Sequence, residues 1–101
     1  MPTMTRDEII ATIRTNTRAL QAEGVKKLWL FGSRARGDHR EDSDIDVLID
    51  VVADPSFSLL NVAGIQHIIE DATGLPTQAT IKDSLKPRIA KRIADDLLEV
   101  F

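Results

Sequence analysis

Ile9, Ile10, Ile13, Thr17 and Leu20 recur at the spacing that puts them on one helical face. Thr5 and Glu8 precede that run as a capping box, in which the threonine oxygen accepts from a free backbone N–H and the glutamate reaches back. With Gly24 as a stop, the pattern predicts a helix over roughly 5–22. Val25 to Phe31 is apolar apart from Lys26 and Lys27 and reads as a buried strand. Gly32-Ser33 breaks it, and Arg34 to Ser43, polar with Gly37 inside, reads as a surface loop that can open with a short helical turn. Ile45 to Val51 alternates apolar and polar residues with the period of two of a strand. A second amphipathic helix runs through Leu59, Leu60, Val62, Ala63, Ile65, Ile68, Ile69 and Ala72 and ends at Gly74 and Pro76. Thr77 to Ile81 is a short third strand. Asp83 or Ser84 caps a last helix with an apolar face through Leu85, Ile89, Ile93 and Leu97; Pro87 falls in its first turn, where its missing N–H costs nothing. The order α-β-β-α-β-α predicts an α/β (α+β) fold, a small mixed sheet flanked by helices; it does not fix strand order.

The chain has 101 residues, enough for one small domain over 1–101 with a modest core. At 43% hydrophobic and 29% charged residues it has the balance of a globular domain. The net charge of −3 gives no whole-chain signal for a polyanion, so direct nucleic-acid binding is not expected. The absence of cysteine excludes disulfides, thiolate catalysis and cysteine zinc sites. With no secretory signal and no apolar run of membrane-spanning length, the expected location is cytoplasmic, without a membrane partner. His39 and His67 lack ligand spacing and read as surface residues, whereas Trp29 and Phe31 read as strand core.

The second strand carries the chemistry. Asp44, Asp46, Leu48 and Asp50 fall on one face, with Ile45, Val47, Ile49 and Val51 on the other, which must be core. Two carboxylates two residues apart on a strand lie about 6.5–7 Å apart at Cα and repel, the more so when partly buried. A divalent cation relieves that repulsion, and oxygen ligands of this kind suit Mg²⁺ or Mn²⁺ shared with substrate phosphates. Upstream, Gly32 lets the backbone approach a ligand closely, while the Ser33 hydroxyl and the N–H groups of the turn can donate to phosphate oxygens. If the two strands are neighbours, turn and acid pair face one crevice. Gly32 and Gly37 have the first spacing of a P-loop, but Asp38-His39 stand where it requires Lys-Ser/Thr. Arg34, nearest Ser33, and Arg36 either bind phosphate or screen the surrounding acids.

Gly32-Ser33, ten residues, then Asp44-Ile45-Asp46 resembles the signature of the DNA polymerase β-like nucleotidyltransferase superfamily. Phe31-Gly32-Ser33-Arg34-Ala35-Arg36-Gly37-Asp38 with Ser43-Asp44-Ile45-Asp46, and Leu85-Lys86-Pro87-Arg88 near the C-terminus, is similar to its smallest members, the minimal (MNT-type) nucleotidyltransferases encoded beside HEPN-domain proteins. The resemblance implies that Gly32, Ser33 and Arg34 bind the nucleotide and that Asp44 and Asp46 are the catalytic metal ligands for Mg²⁺ or Mn²⁺. ATP is the implied substrate. A hydroxyl then attacks the α-phosphorus in line and pyrophosphate leaves.

One departure stands out. The family's third carboxylate, on the next strand, aligns with Gln78, which can offer a carbonyl oxygen to a metal but cannot serve as a base. Either the register of this strand is off, or Asp50 or Asp83 substitutes, or catalysis is weakened or lost. The resemblance implies an antitoxin that transfers AMP to a tyrosine of a HEPN ribonuclease toxin. The alternative is an antitoxin that masks its partner by binding alone. A small-molecule acceptor is expected to fit less well unless a partner completes the site, because the last helix is not followed by residues for a substrate-binding domain. The wide apolar helix faces, with Phe57 and Phe101 at their ends, predict a complex with that partner or a homo-oligomer.

Overall fold

The computed structural model describes residues 4–101; the first three residues of the expected domain lie outside the described residues. Helix α1 (Arg6–Thr15) opens with the expected box, Thr5 and Glu8 each satisfying the other's backbone N–H. The predicted single helix breaks at Asn16, and α2 (Thr17–Ala22) continues from it. The cause is a run of side chains that compete for helical carbonyls. Thr15 Oγ1 and Asn16 Nδ2 both donate to the Thr12 carbonyl, and Thr17 Oγ1 donates to that of Arg14.

Strand β1 (Val25–Phe31) leads into α3 (Ser33–Arg36), a single turn, and then into strand β2 (Ile45–Val51). Helix α4 (Leu59–Thr73) is capped by Ser58 and stopped by Gly74, whose φ of 72° is the left-handed conformation that glycine adopts freely. Strand β3 (Thr77–Ile81) follows, then a 3₁₀ turn and helix α5 (Pro87–Ile93), with Pro87 at its first position. Here the structure corrects the expected order. The last helix stops at Ile93 instead of running through Leu97, and a fourth strand, β4 (Leu98–Glu99), follows a 3₁₀ turn at Ala94–Asp96. Burial explains the difference: Val100 is buried whereas α5 buries none of its residues.

The sheet order is β3-β2-β1-β4. β1 runs antiparallel to both β2 and β4, and β2 runs parallel to β3. Ile45, Val47 and Ile49 are fully buried on one face, against Ile9 and Ile13 of α1 and Ile65 and Ile69 of α4. That face is the core the period-two pattern predicts. The C-terminus is tied into the sheet by backbone bonds of Val100 and Phe101 with Leu28, and Arg14 Nε donates to the Val100 carbonyl at 2.7 Å. Among the described residues no helix is long and apolar enough to cross a membrane.

Candidate active site

β1 and β2 are neighbours, and the register puts Phe31 opposite Asp46. Gly32, the next residue, is therefore beside the first acid of β2. Its φ of 81° and ψ of −158° lie in a region open essentially only to glycine. A Cβ built on Gly32 would stand 2.5 Å from Asp46 Oδ2, so the carboxylate occupies the space that a side chain would fill. Asp44 immediately precedes β2 and is exposed, whereas Asp46 is half-buried. Burial first, then the negative charge of Asp44, push the Asp46 carboxyl above the usual aspartate range, and the Arg36 guanidinium pulls it back.

Gln78 pairs directly with Asp46 across the parallel β2–β3 ladder. Neighbouring strands lie about 4.8 Å apart and paired residues share a face, so the amide stands beside the acid pair. Asp50 lies four residues along β2 from Asp46, about 13 Å away at strand rise, and pairs with Lys27. Asp83 follows the end of β3 that pairs with Ile49, also remote from Asp46. Neither acid replaces the carboxylate missing at Gln78. Among the described residues no group of three or more His, Cys, Asp or Glu side chains converges as a metal site. Two mutually repelling carboxylates, one packed on a glycine, and an amide oxygen beside them make a hard-oxygen donor set that suits Mg²⁺ or Mn²⁺.

Ser33 opens α3, whose own hydrogen bonds begin with Ala35 N–H and Arg36 N–H donating to the Gly32 carbonyl. The N–H groups of Ser33 and Arg34 precede that ladder. Arg34 turns inward. It is fully buried, Nε and Nη2 donating to the Ser43 carbonyl at 3.0 and 2.9 Å and Nη2 also to that of Glu41 at 3.1 Å. The residue expected to bind nucleotide is thus committed to the loop that delivers Asp44, with Nη1 alone lacking a partner. Only burial distinguishes it from Arg36, which the sequence could not show. Of the two histidines, His67 is exposed as expected, whereas His39 is partly buried with an unpartnered Nδ1. Sequence reasoning also missed Asp96, which meets Arg36 at 2.8 Å from sixty residues away. It lay inside the predicted last helix, and no local signal points to it. A shallow cleft lined by Glu23, Val52, Phe57 and Asn61 lies at the opposite end of β1.

A glycine-serine turn packed on Asp46 at the start of β2, with Asp44 just before it, in a mixed sheet backed by helices, is the arrangement of a nucleotidyltransferase. Residues 10–100 match the nucleotidyltransferase domain family, and the chain belongs to it; it is an enzyme of that class. It is 34% identical over 101 residues to the protein adenylyltransferase MntA of Thermococcus cleftensis, covering 99% of this chain and 100% of that one. The solved structure of a minimal nucleotidyltransferase superposes with a TM-score of 0.68 at 27% identity, covering 88% of this chain and 93% of the other. The fold also matches a chain of the tri-AMPylated Shewanella oneidensis HEPN toxin in complex with MNT antitoxin, with a TM-score of 0.63, 13% identity and coverage of 91% and 71%.

Proposed function

We propose that the protein transfers AMP from ATP to a hydroxyl, a tyrosine by preference, of a HEPN-domain toxin and so acts as its antitoxin. The observation that carries this reading is the Asp46 carboxylate seated on Gly32, which sets the acid against the glycine-serine turn. The MntA relative supports a protein acceptor, and the HEPN–MNT complex supports the kind of partner. Two adjacent leucines, Leu59 and Leu60, are 82% and 84% exposed, which is apolar surface of the kind that a partner covers.

In this reading the Ser33 hydroxyl and the backbone of the Gly32 turn hold the terminal phosphates and orient the α-phosphorus. Asp44 and Asp46 would hold Mg²⁺ or Mn²⁺, which supplies charge neutralisation at the phosphates. The acceptor oxygen forms a bond to the α-phosphorus as the bond to the bridging oxygen breaks. Pyrophosphate leaves, and the acceptor proton goes to solvent. Gln78 donates or accepts a hydrogen bond beside the acids but cannot take that proton, so transfer is slower than with a carboxylate there.

A second reading, neutralisation by binding alone, is favoured by Gln78. One experiment separates them. The protein is incubated with α-labelled ATP, Mg²⁺ and the HEPN partner, alongside Asp44→Asn with Asp46→Asn. Label on the partner that the double variant cannot add supports transfer. A toxin silenced in a stable complex without label supports the second reading.

A further inference from the structure

Arg36 lies one helical turn beyond Gly32, its N–H donating to the Gly32 carbonyl at 3.0 Å. Its side chain therefore rises from the same turn that backs Asp46. Two carboxylates grip the guanidinium from different parts of the chain: Nε donates to Asp38 Oδ2 at 3.0 Å and Nη1 to Asp96 Oδ2 at 2.8 Å. Asp38 is 61% exposed and belongs to the same loop, whereas the Asp96 side chain is only 20% exposed. Asp96 also has a rigid mount. It lies just before β4, and the residues after it are bonded to Leu28 and Arg14.

Stability does not account for this arrangement. Half-exposed ion pairs contribute little, and two acids on one cation repel each other. What two hydrogen-bonded carboxylates on separate nitrogens do is fix the plane of a guanidinium. Arginine has five N–H donors in a rigid fork, so three remain available. A planar cation with free donors, on the turn that backs Asp46, suits a phosphate oxygen.

We propose that Asp96 is a positioning residue, holding Arg36 in the orientation in which its free N–H groups meet the β/γ-phosphates of the bound nucleotide. This rests on the nucleotide-binding reading of the Gly32–Asp46 crevice. Asp96 touches no reacting atom; it acts through Arg36 and joins the C-terminal segment to nucleotide binding.

The test is titration calorimetry of the full chain with ATP and with AMP, both with Mg²⁺. Asp96→Asn should weaken ATP binding about two- to fivefold, the upper part of the range for one partly exposed ion pair. AMP binding, which lacks the β/γ-phosphates, should not change, and Asp96→Glu should restore most of the loss. In an Arg36→Gln background Asp96→Asn should have no further effect. A purely structural role for Asp96 would weaken ATP and AMP alike, and that result overturns the proposal. So does unchanged ATP affinity in Asp96→Asn when the parent chain binds ATP. A parent chain that fails to bind ATP with Mg²⁺ overturns the nucleotide-binding reading itself.

Discussion

A methyl group on Gly32 would meet Asp46 Oδ2 at 2.5 Å, on a backbone that L side chains rarely adopt. Gly32→Ala therefore has to move either the turn or the acid. We expect a loss of about 1–3 kcal/mol from the backbone alone, read by urea denaturation, with a fall in transfer rate beyond what the stability loss explains. Asp46 carries the opposite signature. Its folded carboxyl keeps its proton to higher pH than the unfolded one, so folding takes up a proton between the two values. Stability then falls as pH rises through that window, and below the usual aspartate range, near about pH 4, the penalty is absent. Asp46→Asn should raise Tm at neutral pH in chelator and lose that advantage in acid. Saturating Mg²⁺ should stabilise the parent chain and not the variant. A variant less stable than the parent at neutral pH would contradict the electrostatic cause.

Whole elements were legible where pattern and burial agree. The alternation of Ile45 to Val51 gave the core face of β2 directly, and the resemblance carried by Leu85-Lys86-Pro87 put Gln78 on the next strand, where β3 pairs it with Asp46. Two boundaries were not legible. The break at Asn16 arises from side chains competing for carbonyls inside a sequence whose apolar spacing remains helical. β4 hides because Leu97 and Leu98 continue the helical spacing of α5, and only pairing with the free edge of β1 pulls them straight. In the site, Gly32, Asp44 and Asp46 were readable from spacing, whereas the fates of Arg34 and Asp96 depend on contacts across the fold. Two predictions belong here. Gln78→Asp puts a third carboxylate beside Asp46; transfer should rise by something approaching 10²–10⁴-fold, with tighter Mg²⁺ binding and lower stability in chelator. An unchanged rate would assign the acceptor's proton elsewhere. Val100→Ala should cost about 2 kcal/mol, because Val100 is 2% exposed and fastens β4; the urea midpoint should fall with the slope unchanged.

Across the whole molecule, the two ends of the central strands have different characters. One end holds the acids, Gly32 and Gln78; the other holds Gly24, Val52 and Phe57, with Leu59 and Leu60 exposed where α4 begins. β1 joins the two ends and lies between β2 and β4. The pairing that closes its outer edge, Trp29 with Glu99 and Leu30 with Leu98, spans about seventy residues of chain. On a ribosome adding roughly 5–20 residues each second, β1 is therefore made several seconds before β4. For that interval the nascent chain presents a largely apolar strand with one row of amides unclaimed, the kind of template on which other chains stack. Lys26 and Lys27, both exposed, stand on that strand as its gatekeepers. Replacing both with valine should leave the finished fold intact yet divert newly made protein into inclusion bodies, a difference seen in soluble yield and absent from the Tm of the fraction that escapes.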